Sequence, residues 1–100
     1  MVNFNNIESA HHRISNFIHN TPILTCENIN TETKTSIFFK CDNFQKTGSF
    51  KIRGATNTIL QLSKKQLTNG VITTSSGNHG AAVSSAASKL GANIKVIMPD

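Results

Sequence analysis

Residues 71–99, VITTSSGNHGAAVSSAASKLGANIKVIMP, decide the fold. Val71 to Thr74 is a β-branched run bounded by small residues, and it reads as a buried strand. Ser75 to Gly80 is a small-residue turn. Ala81 to Leu90 reads as a helix of tiny side chains, whose face Ala82, Ser85, Ala86, Lys89 allows close approach to a sheet. Gly91 suits the left-handed position just past a helix. Ile94 to Met98 is a further strand, closed by Pro99. A strand, a crossover helix and a second strand form a βαβ unit with parallel strands.

Working backward, Phe50, Ala55, Ile59, Leu60 and Leu62 form a helical stripe, with Ser49 as N-cap and Gly70 as the stop. Ile37-Phe38-Phe39 has strand chemistry, and Asp42 to Gly48 is a loop. From Ile37 onward the order is therefore β, α, β, α, β, which predicts an α/β fold with a parallel sheet. Glu27 to Thr35 (ENINTETKT) is polar and reads as a loop, while Ile23 to Cys26 reads as extended. Ile7, Ala10, His11, Ile14, Phe17 and Ile18 recur at helical spacing, capped by Asn5 or Asn6 and ended before Pro22. A parallel sheet needs helices on both faces. Only two are available here, so the sequence reads as the opening of a larger α/β domain.

Composition narrows the classes. The chain has 100 residues, 37% hydrophobic residues, 6 glycines and a net charge of +5. No apolar run approaches the roughly 18 residues of a membrane span, which argues against a membrane partner. The basic residues are scattered, with Lys64-Lys65 the only adjacent pair, and Tyr and Trp are absent. Nucleic acid is therefore not an expected partner. Cys26 and Cys41 make no disulfide framework, and MVNFNN is no signal peptide, so a cytoplasmic location is expected. His11, His12 and His19 read as lying on the first helix, without a carboxylate or Cys at ligand spacing; no metal site is expected.

Two stretches could carry chemistry. In Gln45–Gly54 (QKTGSFKIRG), Lys51 falls in the first turn of a helix, where the positive dipole end disfavours an ammonium. That placement should lower its pKa, more so if it is buried beside Phe50, as Schiff-base chemistry requires. On spacing alone, a surface lysine of an amphipathic helix is the commoner outcome. Ser75-Ser76-Gly77-Asn78-His79-Gly80 sets backbone N–H groups at a helix start, an anion site suited to a carboxylate or phosphate. A turn without ligand fits it equally. Neither stretch matches a Walker A loop or a GxGxxG fingerprint.

Together the two stretches resemble a known family. Ser49-Phe50-Lys51-Ile52-Arg53-Gly54, preceded by Gln45-Lys46-Thr47-Gly48, looks like the cofactor-lysine motif of the fold-type II pyridoxal-phosphate enzymes, in the serine/threonine dehydratase and serine racemase branch. Ser76-Gly77-Asn78-His79-Gly80, His19-Asn20-Thr21-Pro22, Phe38-Phe39-Lys40 and Val96-Ile97-Met98-Pro99 fit the same pattern, so the resemblance runs along essentially the whole chain. It displaces the surface reading of Lys51. The fold implied is the N-terminal part of the tryptophan synthase beta-like fold, incomplete, with residues 1–69 in the larger, cofactor-binding domain and residues 70–100 opening the smaller one.

The resemblance also implies roles. Lys51 would hold pyridoxal 5′-phosphate and then take the substrate α-proton. Phe50 would pack near the pyridine ring, and Asn78 would hydrogen-bond the cofactor 3′-hydroxyl. Ser75, Ser76, Gly77, Asn78 and His79 would bind the carboxylate of L-serine or L-threonine, with Ser76 on the face opposite Lys51. Loss of the α-proton and β-hydroxyl gives an aminoacrylate, which water hydrolyses to a 2-oxo acid and ammonia, the reaction of an L-serine/L-threonine ammonia-lyase. Reprotonation by Ser76 gives racemisation instead, and Ser76 itself leans toward that subgroup. The family is considerably longer, and its glycine-rich phosphate loop, pyridine-nitrogen partner and divalent-metal ligands fall past Asp100. The 100 residues are thus expected to be a truncated product or partial sequence, inactive alone and acting at most as a binding module. The full-length protein is expected to be a homo-oligomer.

Overall fold

The computed structural model describes residues 1–99. The described elements are α1 (Phe4–Ile14), β1 (Ile23–Leu24), α2 (Glu27–Thr33), β2 (Phe39–Lys40), α3 (Lys51–Ile59), α4 (Lys64–Asn69), β3 (Val71–Thr74), α5 (Asn78–Lys89) and β4 (Ile94–Ile97). Two 3₁₀ turns, Asp42–Phe44 and Lys46–Gly48, lead from β2 into α3.

The βαβ unit forms as the sequence predicts. β3 and β4 pair in parallel, Val71 opposite Ile94 through Thr74 opposite Ile97, with α5 as the crossover. Gly91 takes φ +67 just past α5, and Gly70 takes φ +88 before β3, with the Asn93 carbonyl only 3.1 Å from where a Cβ would stand. Neither position suits an L side chain. β3 is not buried on both sides, however: Val71 and Thr73 are half-covered while Ile72 and Thr74 face outward.

The core lies between α3 and α5, where Ile52, Ala55 and Ile59 meet Ala82, Val83 and Ala86. The small residues of α5 do allow close approach, but its buried face is Ala82, Val83, Ala86 and Ala87, and Lys89 is exposed. Ile52, 1% exposed, is the inward residue of the first turn of α3, whereas Phe50 is 60% exposed and outside the stripe.

Four other expectations are corrected. The first strand shifts to Phe39–Lys40 and pairs antiparallel with β1, Ile23 opposite Lys40, so it is no part of the parallel sheet. Glu27–Thr33 is a helix with no buried residue, ended by Lys34 in the left-handed region. α1 is capped by Asn3, reciprocally with Asn6, one turn earlier than Asn5 or Asn6 would have it. α1 ends at Ile14, so His19 lies outside it; the His19 backbone N–H donates to the Gln45 amide oxygen.

Candidate active site

Ser49 does not cap α3. Its backbone is extended (φ −157, ψ 163), the N-cap position falls to Phe50, and no side chain caps the helix. The Ser49 hydroxyl is buried without a hydrogen-bond partner. What holds the approach to α3 is longer range. Gln45, 4% exposed, accepts from the N–H of His19 (2.8 Å) and of Lys46 (2.9 Å) and donates to the His19 carbonyl (2.8 Å). Lys46 Nζ donates to the Phe17 carbonyl at 2.8 Å. Loss of water there, with the Lys89 charge nearby, lowers the Lys46 pKa below its usual value. The turn itself is tight, with Thr47 at φ 65 followed by Gly48 at φ 72; a β-branched residue in that region is uncommon.

Lys51 opens α3 and is exposed, its Nζ 4.9 Å from the centroid of the Phe50 ring. Two residues on, Arg53 forks onto Asp42, with Nε to Oδ2 at 2.7 Å and Nη2 to Oδ1 at 2.8 Å. The guanidinium bond is the largest cause that holds the Asp42 carboxyl at about 2, below its ordinary 3.8. Neither Asp42 nor buried Gln45 was singled out from the sequence as a site residue, because pairing across 11 or 26 residues leaves no periodic signal.

The second segment is held more lightly. The Ser75 N–H donates to the Ile97 carbonyl at 3.0 Å, and its hydroxyl accepts from the Gly77 N–H at 3.2 Å. α5 starts at Asn78, so Asn78, His79 and Gly80 supply its first turn, with no side chain capping it. The free N–H groups of such a turn favour an anion. Gly80 is buried, and a Cβ there would stand 2.9 Å from the Ser75 carbonyl, so only glycine lets the helix start so near the strand end. Ser76, Gly77, Asn78 and His79 are exposed.

A pocket of about 490 Å³ is walled by α3, by Val71, Ile72 and Thr73 of β3, and by Val83. Phe50, Lys51, Arg53 and His79 border it; Ser75, Ser76, Gly77 and Asn78 do not. Among the described residues Lys51 pairs with no carboxylate, and no three His, Cys, Asp or Glu side chains gather as a metal site. No described helix is long and apolar enough to cross a membrane.

This arrangement places a reachable amine beside an aromatic ring, at a pocket that the uncapped first turn of α5 also borders through His79. Those are the parts that a phosphorylated aldehyde cofactor of aromatic character can use. The chain belongs to the family described as pyridoxal-phosphate dependent enzyme, which matches residues 14–100. It is 46% identical over 99 residues to a serine racemase of Dictyostelium discoideum, covering 99% of this chain and 31% of that protein. It is 47% identical to the beta-hydroxyaspartate dehydratase of Paracoccus denitrificans, over 91% of this chain and 29% of that one. The solved structure of maize serine racemase superposes with a TM-score of 0.92 at 42% identity, covering 98% of this chain and 31% of that one. The chain thus spans about a third of the length of these relatives, and the fold is the fold-type II α/β architecture of pyridoxal-phosphate enzymes.

Proposed function

We propose that the whole protein is a serine racemase that also eliminates the β-hydroxyl, with Lys51 and Ser76 as its acid–base pair. One observation carries the reading: Lys51, at the start of α3, borders the same pocket as His79, in the first turn of α5. The likeness to serine racemases favours racemisation as the leading activity. The likeness to a beta-hydroxyaspartate dehydratase keeps the ammonia-lyase, acting on L-serine or L-threonine, as the second reading.

Pyridoxal phosphate, when bound, supplies an electron sink for the pair left at Cα on deprotonation. The chain's own residues do the rest. Lys51 would hold the cofactor through Nζ and, once released, move the α-proton on one face. Phe50 would lie against the ring, and Asn78 would hydrogen-bond the 3′-hydroxyl. The backbone of Ser75 to His79 at the uncapped start of α5 would orient the substrate carboxylate. The Ser76 hydroxyl would give or take the proton on the opposite face. We place the boundary between the larger and smaller domains at residues 69 and 70, and expect a cytoplasmic homo-oligomer.

Ser76→Ala in the whole enzyme tests this. Racemisation needs a proton carrier on both faces, whereas elimination needs Lys51 and protonation of the leaving hydroxyl. D-serine formation should fall by at least about a hundredfold, the scale of a lost general acid or base, while pyruvate formation falls much less. A wild type that makes no D-serine leaves the ammonia-lyase as the function. Equal loss of both activities would make Ser76 a substrate-orienting group.

A further inference from the structure

Lys51, Ile52 and Arg53 are consecutive residues of one helical turn, about 100° apart around its axis. Ile52 enters the core, and Arg53 is fixed by its fork onto Asp42. Lys51 is exposed, sits by the Phe50 ring and makes no ion pair among the described residues, so its setting is inherited from these neighbours. Local capping does not supply it, because the start of α3 has no side-chain cap.

We propose that the Asp42–Arg53 pair, braced by Thr21, is a positioning device that sets the Lys51 amine at the pocket. The Asp42 carboxylate accepts three hydrogen bonds: two from the guanidinium, and one from the Thr21 hydroxyl at 2.6 Å. Thr21 is 4% exposed, and the same hydroxyl accepts from Arg53 Nη2 at 3.3 Å. Its carbonyl accepts from Lys40 Nζ at 2.7 Å. The chain before β1, the turn after β2 and the first turn of α3 therefore meet at one carboxylate. A bidentate fork fixes orientation as well as distance, which a lysine cannot reproduce. There is also an electrostatic reason. Arg53 borders the same pocket as Lys51, at the positive end of a helix dipole. Asp42 neutralises the guanidinium there, so that among the described residues Lys51 is the charged side chain of the turn not paired with a carboxylate.

The proposal rests on Lys51 being the cofactor-bearing lysine, and its test separates the two. Apo-protein of full length is mixed with pyridoxal phosphate, and capture at Lys51 is timed by borohydride quenching and peptide mass, at a temperature where every variant is folded. Asp42→Asn and Arg53→Lys should slow capture by about ten- to a hundredfold, the range that small misplacements produce. Asp42→Glu, which keeps a carboxylate, should stay nearer to wild type than Asp42→Asn. Ile14→Val, a core truncation in α1, should lower the unfolding temperature and leave capture unchanged. Should Asp42→Asn not fold, Thr21→Val is read in the same way, since it removes one brace and keeps the ion pair. Wild-type capture rates in the folded clamp variants would overturn the proposal, and so would equal slowing by Ile14→Val. Undiminished labelling of another lysine in Lys51→Ala would instead overturn the reading beneath it, without any change at Asp42.

Discussion

The two segments that supply Lys51 and His79 to the border of the pocket are held in opposite ways. The approach to α3 is tied down from a distance: Gln45 bonds to both backbone groups of His19, Lys46 reaches Phe17, and Arg53 and Thr21 converge on Asp42. The turn before α5 has one side-chain bond, within its own three residues. Its order comes from its roots, the β3–β4 ladder and the close passage at Gly80. A lysine proposed to hold a cofactor needs a fixed base. A turn proposed to admit and release a substrate carboxylate needs free N–H groups, and capping them with the chain's own side chains would occupy the site.

The sharpest way to break this contrast is at Lys51. In the whole enzyme Lys51→Ala should abolish racemisation and elimination together, measured as D-serine and pyruvate, because one amine is proposed to carry the cofactor and the proton. Substantial turnover in Lys51→Ala, with loss in Lys46→Ala, would move the assignment to the other lysine. Gln45→Ala comes next. It strips two backbone N–H groups and one carbonyl of a buried partner, which should cost about 2–3 kcal/mol in denaturant unfolding. A cost under about 0.5 kcal/mol would mean the anchor is dispensable.

Acid should act more gently, and on the anchored side alone. The folded pKa of Asp42 lies at about 2, below the 3.8 of the unfolded chain. The unfolded chain therefore takes up the proton first as pH falls. The stability contributed by Asp42 is fully present above 3.8 and is lost progressively as pH falls through about 2. An unfolding series over that range should show a loss that Asp42→Asn lacks. The smallest effect belongs to the loose side: Ser76→Ala touches an exposed residue and should change unfolding free energy by less than about 0.5 kcal/mol, whatever it does to racemisation.

The parts legible in the sequence are those with local causes. β-branched runs, a helix of small residues and glycines at positive φ mark the βαβ unit, although α5 starts at Asn78, three residues before the expected Ala81. The helix Glu27–Thr33 was hidden because it buries nothing, so no apolar stripe marks it. Ser63 and Gln66, a reciprocal cap at the start of α4, did stand in the sequence as a readable pair three apart. Phe39-Lys40 has strand chemistry, but which strand it joins depends on Ile23 and Leu24, well upstream. At the candidate site, the motif residues around Lys51 and the 75–80 turn stood out in the sequence, while the groups proposed to hold Lys51 in place did not. Asp42 and Gln45 act through partners chosen by the fold, and Ser49, chosen as a cap, turned out buried and unbonded.

The core between α3 and α5 also sets an order of events during synthesis. Ile52 and Ile59 find their apolar partners on residues 82–86, made about thirty positions later. At roughly 5–20 residues per second, that leaves on the order of a few seconds in which the lysine-bearing helix has emerged with its apolar stripe bare. Over that interval the segment keeps its apolar stripe open to water. It becomes a wall of the pocket only when α5 arrives to cover it.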